Sequence, residues 1–100
     1  RSEATKSSIT DITHILLDGI AYKLQQQDCY ISTDNIIETS LNSNTLFSIH
    51  FNDGQYLLEV ENNAQGSLND IIIRDTQVLK LGDNIKFAGS ETNATLIKVS

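Results

Sequence analysis

The chain has 100 residues, 39% of them hydrophobic and 20% charged, which is the length of one domain with enough apolar side chain for a single core and not a disordered composition. Its net charge of −6, with seven basic residues scattered singly and forming no run, argues against nucleic acid as a partner, which requires a basic face. No apolar run approaches the roughly 18 residues of a membrane span, and the single cysteine, Cys29, excludes an intrachain disulfide.

Residues 1–8 are polar and lack the apolar stretch of a signal peptide. They are expected to form a flexible lead-in to one domain covering 9–100. Over 8–17, Ile9, Ile12, Ile15 and Leu16 fit a helical stripe, and Ser8 with Asp11 makes a capping-box-like pair. The segment nevertheless runs straight into Asp18-Gly19 and a further apolar run. A hairpin is therefore expected, with at most a turn of helix at 8–11. Gln26-Gln27-Asp28 leads into a strand at 29–32, and Asn42-Ser43-Asn44 precedes one at 45–51. In that strand Phe47, Ile49 and Phe51 share one face while Ser48 and His50 take the other. Asp53-Gly54 suits the positive φ of a tight hairpin into 56–61, where Tyr56, Leu58 and Val60 oppose Glu59 and Glu61. Residues 62–69 are the longest polar loop, followed by Ile71-Ile72-Ile73. Residues 79–87 read as two short strands joined at Gly82-Asp83, and Glu91-Thr92-Asn93 marks the last turn. Punctuation at this spacing predicts an all-β sandwich of about ten to eleven short, mostly antiparallel strands.

Candidate chemistry is sparse. A metal site needs about three well-placed ligands. His14, His50 and Cys29 do not cluster by spacing, so both histidines are expected on strand faces, with no metal and no cofactor. Ser48, His50 and Asp53 could be written as a hydrolytic triad, but they lie on one hairpin without a Gly-x-Ser-x-Gly elbow, and no enzyme is expected. Cys29 reads as a small strand residue. Asp11, Asp18, Asp28, Asp34 and Glu38 make the first half acidic, which suits solvated loops or a docking surface for a basic partner. The loops 34–45 and 62–70 are the expected recognition surface, since sandwich loops gather at one end and carry binding.

The order of motifs resembles that of a forkhead-associated (FHA) domain over roughly residues 13–99. Leu17-Asp18-Gly19-Ile20-Ala21-Tyr22-Lys23-Leu24 is similar to the family's opening strand, glycine turn and strand. Asp34-Asn35-Ile36-Ile37 is similar to its "Asp-Ile" strand, and Asp53-Gly54-Gln55-Tyr56-Leu57-Leu58 to its "Asp-Gly-x-Tyr-x-Leu". Leu79-Lys80-Leu81-Gly82-Asp83-Asn84-Ile85-Lys86-Phe87 is similar to "Leu-x-x-Gly-Asp-x-Ile-x-Phe". The residues that read phosphothreonine in the family are mostly replaced. Ser32 and Thr33 stand for its Gly-Arg. Ser43 keeps the serine of Ser-x-x-His, but Asn44 takes the neighbouring basic position and Leu46 the histidine. Gln65, Gly66 and Ser67 stand for Asn-Gly-Thr, and Asn69 precedes Asp70 where Asn-Gly would be.

The resemblance implies a protein–protein interaction module, with Ser32, Thr33, Ser43, Asn44, Gln65, Gly66, Ser67 and Asn69 as partner- or phosphopeptide-binding candidates. Losing the cation implies docking without dependence on phosphate, because a phosphate dianion is held chiefly by charge-assisted bonds from Arg or Lys. Arg74 or Lys23 would restore one if folded close. Degenerate FHA-like domains of this kind occur as the cytoplasmic domain of inner-membrane ring proteins in bacterial type III secretion systems. On that resemblance the partners would be copies of the chain in a ring and cytoplasmic assembly components. The location would be the cytoplasmic face of the inner membrane, with an anchor elsewhere in the parent chain and no membrane contact within this segment.

Overall fold

The computed structural model describes residues 10–99. Two of the three two-residue hairpin turns are spelled out by glycine. Asp18 and Gly19, at φ 52° and 80°, turn β1 (His14–Leu17) into β2 (Ile20–Lys23). Both central residues lie in the left-handed region, the geometry whose twist matches that of flanking strands. After β3 (Cys29–Ser32) and the two-residue β4 (Ile37–Glu38), β5 (Thr45–Asn52) turns at Asp53 and Gly54, φ 55° and 79°, into β6 (Gln55–Val60). The third turn, between β7 (Gly66–Leu68) and β8 (Ile71–Ile72), holds Asn69 and Asp70 at φ 52° and 69° without any glycine. Asn and Asp tolerate this region because their short polar side chains bond locally. The chain ends with β9 (Gln77–Val78), β10 (Asn84–Phe87) and β11 (Asn93–Ile97).

The strands form two sheets, one ordered β2-β1-β11-β10-β7-β8 and the other β4-β3-β5-β6-β9, with every recorded pairing antiparallel. Their facing sides bury Ile15, Leu17, Ile31, Phe47, Ile49, Leu58, Ile85 and Leu96 completely or nearly so. Burial of one such side chain stabilises the fold by about 1.5–3 kcal/mol. Phe47 of one sheet stacks on Phe87 of the other, ring centroids 5.2 Å apart. Gly66 is the register partner of Phe87, and a Cβ there would meet the Phe87 ring at 2.7 Å. The expected all-β sandwich, its strand number and its antiparallel pairing are thus observed.

One expectation differs from the structure, and the alternative left open at the start of the chain is decided for the hairpin. Residues 79–87 hold one strand, not two. Leu79 is buried and donates its N–H to the Tyr56 carbonyl at 2.8 Å, but the chain leaves the ladder there because Lys80 N–H bonds the Asp83 carboxylate at 2.8 Å in a local turn. At the start, residues 10–13 are not helical. Thr13 instead exchanges backbone bonds with Ile97 and Leu24, extending the β1 edge. The lead-in over 1–8, with Ser8 of the capping-box pair, lies outside the described residues.

Candidate functional site

Antiparallel alternation puts the β1–β2 turn at 18–19 and four longer connections at one end of the sandwich, here the apical end: residues 33–36, 39–44, 61–65 and 88–92. A register shift at Ile31/Ser32 opens the β3–β5 ladder so that Thr33 N–H reaches the Asn44 carbonyl at 3.0 Å. Ser32 is buried, and its hydroxyl accepts from Asp34 N–H at 3.3 Å. Asn42 shapes the second loop. Its side-chain oxygen accepts from Asn44 N–H at 2.7 Å, its own N–H donates to Thr45 Oγ1 at 3.1 Å, and its amide reaches Glu38. From the third loop Asn62 donates to the carbonyls of Asn42 and Thr45, each at 2.9 Å. From the fourth, buried Thr92 donates its hydroxyl proton to Asn35 Oδ1 at 3.0 Å. Asn35, Asn42, Asn62 and Thr92 thus tie the apical loops together. The sequence reading missed these roles. Their only linear signal is the density of asparagine at turns, and Asn35 and Asn62 also sit at positive φ.

The eight sequence-predicted residues separate into three places. Thr33, Ser43 and Asn44 are exposed together at the apex, above buried Ser32. Gln65, Gly66 and Ser67 lie beside them where β7 begins. Gln65 accepts from Ala88 N–H at 2.9 Å, Gly66 is buried under Phe87, and Ser67 is half-buried opposite Lys86. Asn69 is at the far end of β7, about 13 Å of extended chain from Gln65. It braces the Asp83 turn there, donating to Asp83 Oδ1 and accepting from Asn84 N–H, both at 2.9 Å. The loop 62–70 therefore does not lie wholly at one end, because a three-residue strand interrupts it.

The apex carries no cation over residues 33–44, and Asp34 and Glu38 stand there. Lys23 pairs in register with His14 at the opposite end. Arg74 and Lys86 come together instead on the outside of the six-stranded sheet. With Gln65, Ser67, Ile72 and Ala88 they line a cleft of about 620 Å³. Lys86 Nζ lies 3.8 Å from Asp70 with both groups exposed, a contact of little strength.

No family model and no curated protein matches the chain. Solved structures do. The FHA domain of FhaA, crystallised with the intracellular domain of Rv3910, superposes with a TM-score of 0.64 at 18% identity over 82% of this chain and 96% of that one. The solution structure of the FHA domain of an Arabidopsis thaliana hypothetical protein gives 0.67 at 18% identity, over 96% and 94%. The fold is FHA-like. The expected architecture is carried by this likeness across nearly the whole chain, and at this identity it speaks for the fold alone.

The outer face of the five-stranded sheet of this FHA-like sandwich holds a polar knot. Ser48 lies between Tyr30 and Glu59 in a cross-strand row. Its fully buried hydroxyl donates to Glu61 at 2.7 Å and contacts His50 Nε2 at 2.9 Å. His50 Nδ1 is 3.1 Å from Asp28 Oδ2, and the Tyr30 ring packs edge-on to the imidazole. The hydrogen bond from His50 holds the Asp28 carboxyl below its usual range, against a smaller effect of burial. The histidine's acidic partner is thus Asp28, not the hairpin residue Asp53. The order Asp28–His50–Ser48 resembles a proton relay, but the Ser48 oxygen is sealed from solvent and already gives its proton to Glu61. Cys29 beside it is buried, and burial, assisted by the Asp28 charge, pushes its thiol up to about 11, which leaves it protonated and unreactive at neutral pH. His50, Glu59 and Glu61 bring one ligand atom each within 4.8 Å of one another, the one such group among the described residues that could hold a metal ion.

Proposed function

We propose that this chain is a non-catalytic protein–protein interaction domain that docks its partner through the apical loops without requiring phosphate. The observation that carries this is the apex itself. Thr33, Ser43 and Asn44 present neutral hydroxyl and amide groups next to Asp34 and Glu38, with no Lys or Arg across 33–44. Neutral donors suit a peptide backbone or polar side chain. A dianion left without a cation would forfeit the charge-assisted bonds that make phosphate recognition strong. The chain's net charge of −6 would repel it further. That an FHA domain of the same fold was crystallised with another protein's intracellular domain supports a protein as the partner.

The specific setting we favour is the cytoplasmic domain of a bacterial type III secretion inner-membrane ring component, acting as a scaffold on the cytoplasmic face. Its partners would be neighbouring copies and cytoplasmic assembly components, with the membrane anchor outside this segment. Among the described residues, β2 and β8 are the edge strands of one sheet and β4 and β9 those of the other, and edge strands offer sites for such lateral contacts. One observation favours a second reading, a phosphothreonine reader with a displaced cation: Arg74 and Lys86 flank Gln65 and Ser67.

Phosphatase treatment separates the two. The domain is immobilised and offered cell extract with or without prior dephosphorylation. Equal capture of the same proteins supports phosphate-free docking. Loss of capture after dephosphorylation overturns it.

A further inference from the structure

The polar knot on the five-stranded sheet is built by strand register. Ser48 and His50 alternate on β5, and Glu59 sits directly across from Ser48 on β6. Glu61 follows one residue past β6 and stays in line because its N–H bonds the Leu46 carbonyl at 2.9 Å. The result is one imidazole facing three carboxylates, those of Asp28, Glu59 and Glu61. Among the described residues no lysine or arginine forms an ion pair with any of them. Even with the imidazole protonated, the group keeps a surplus of negative charge.

The geometry points to a divalent transition-metal site of the zinc class, with His50 Nε2, Glu59 and Glu61 as ligands and water completing the shell. Four observations carry this. His50 Nε2 and Glu59 Oε1 are 3.4 Å apart, beyond the roughly 2.7–3.2 Å of an ordinary N–H···O bond. Two ligands at about 2.0–2.1 Å from one tetrahedral ion lie about 3.3–3.4 Å from each other, so this pair has the spacing to share one ion, which would take the place of the Ser48 hydroxyl that meets Nε2 at 2.9 Å and leave that hydroxyl on Glu61. All three ligand atoms fall within 4.8 Å. Asp28 holds the other ring nitrogen at 3.1 Å, the carboxylate–histidine arrangement that aims an imidazole at a metal. His50 and Glu59 are half-open, with side-chain exposures of 28% and 52%, so an ion can enter and retain solvent. An imidazole with two carboxylates selects zinc, cobalt or nickel over calcium and magnesium, which take oxygen ligands. Through Glu61 the site reaches the first residue of the apical connection 61–65, but metal binding by these side chains does not depend on how the partner is recognised.

The test is calorimetric titration of the domain with zinc chloride alone, paired with cobalt(II), whose visible spectrum reports tetrahedral coordination. Saturable zinc binding, a tetrahedral cobalt spectrum and a Tm rise of about 4 °C or more at saturating zinc are expected. His50→Gln and Glu61→Gln should abolish binding. Asp28→Asn should weaken it about 10-fold or more while leaving the ligands in place. Glu59→Gln, at a half-exposed position, removes one ligand and guards against a variant that fails to fold. His14→Gln should leave binding unchanged. Absence of wild-type binding at millimolar zinc, or binding that survives His50→Gln, overturns the site.

Discussion

The two outer faces of the sandwich differ in charge, and each is assembled from residues that stand alone in the sequence. On the five-stranded sheet, Asp28, Ser48, His50, Glu59 and Glu61 converge from three separate segments into a knot of carboxylates around one imidazole. On the six-stranded sheet, Lys86 of β10 meets Ser67 of β7 in register, and Arg74 arrives from the crossing to β9, giving a basic cleft. The seven bases are scattered singly along the chain, yet two of them share one cleft. Net charge is therefore a poor guide to either face. What sorts the charges is the period-two alternation of strands combined with cross-strand register, and both faces rest on one core.

The largest effect should come from beneath the acidic face. Cys29 is raised from 9.0 to about 11 in the folded chain. Stability is then complete below pH 9 and falls as pH rises toward 11, because the unfolded chain releases the proton while the folded one keeps it. The span corresponds to about 3 kcal/mol. Burial also raises Tyr56, which adds to the loss at still higher pH. Urea midpoints between pH 8 and 11 should fall steeply, and Cys29→Ser should flatten the first part of that fall. An unchanged profile in the variant would break the link between this face and the core.

Beneath the basic face, Gly66→Ala places a Cβ 2.7 Å from a Phe87 ring atom, and Phe87 is itself stacked on Phe47. A cost of about 1–3 kcal/mol is expected from this overpacking. It should appear in the urea midpoint, together with ring-current shifts over the cleft and none at His50. At the apex, Asn62→Ala removes two donations to carbonyls and should cost about 1 kcal/mol. Amide exchange should quicken over residues 42–45 and leave the core strands unaffected. The smallest effect belongs to the basic cleft. Arg74→Ala and Lys86→Ala should each shift stability by no more than about 0.5 kcal/mol, since both side chains are exposed. A larger loss would mean that the basic face is structural and not simply available to a ligand.

The fold was legible because its signals are local. Asp18-Gly19 and Asp53-Gly54 announce their turns, and the alternation at Phe47, Ile49 and Phe51 announces the buried face. The turn at Asn69-Asp70 has the same geometry without glycine, and the segment at Leu79-Lys80 is apolar enough to look like a strand. There the capping of Lys80 N–H by Asp83 decided the outcome, a contact that propensity does not register. The site was less legible because it consists of pairs remote in sequence. Asn62 with Asn42, Thr92 with Asn35 and His50 with Asp28 are 20, 57 and 22 residues apart, and no linear motif links them. Arg74 could be singled out as a possible compensating cation. Lys86 as its neighbour could not, because that pairing depends on the crossing between the sheets.

The central claim is that the apex recognises protein without phosphate. The most direct measurement is an amide-shift NMR titration with a degenerate phosphothreonine peptide pool, set against the same pool unphosphorylated. The account predicts no phosphate-dependent shifts at Thr33, Ser43 or Asn44 at millimolar peptide. Phosphate-dependent shifts centred on those residues, or on Gln65 and Ser67 and lost in Arg74→Ala, would contradict it.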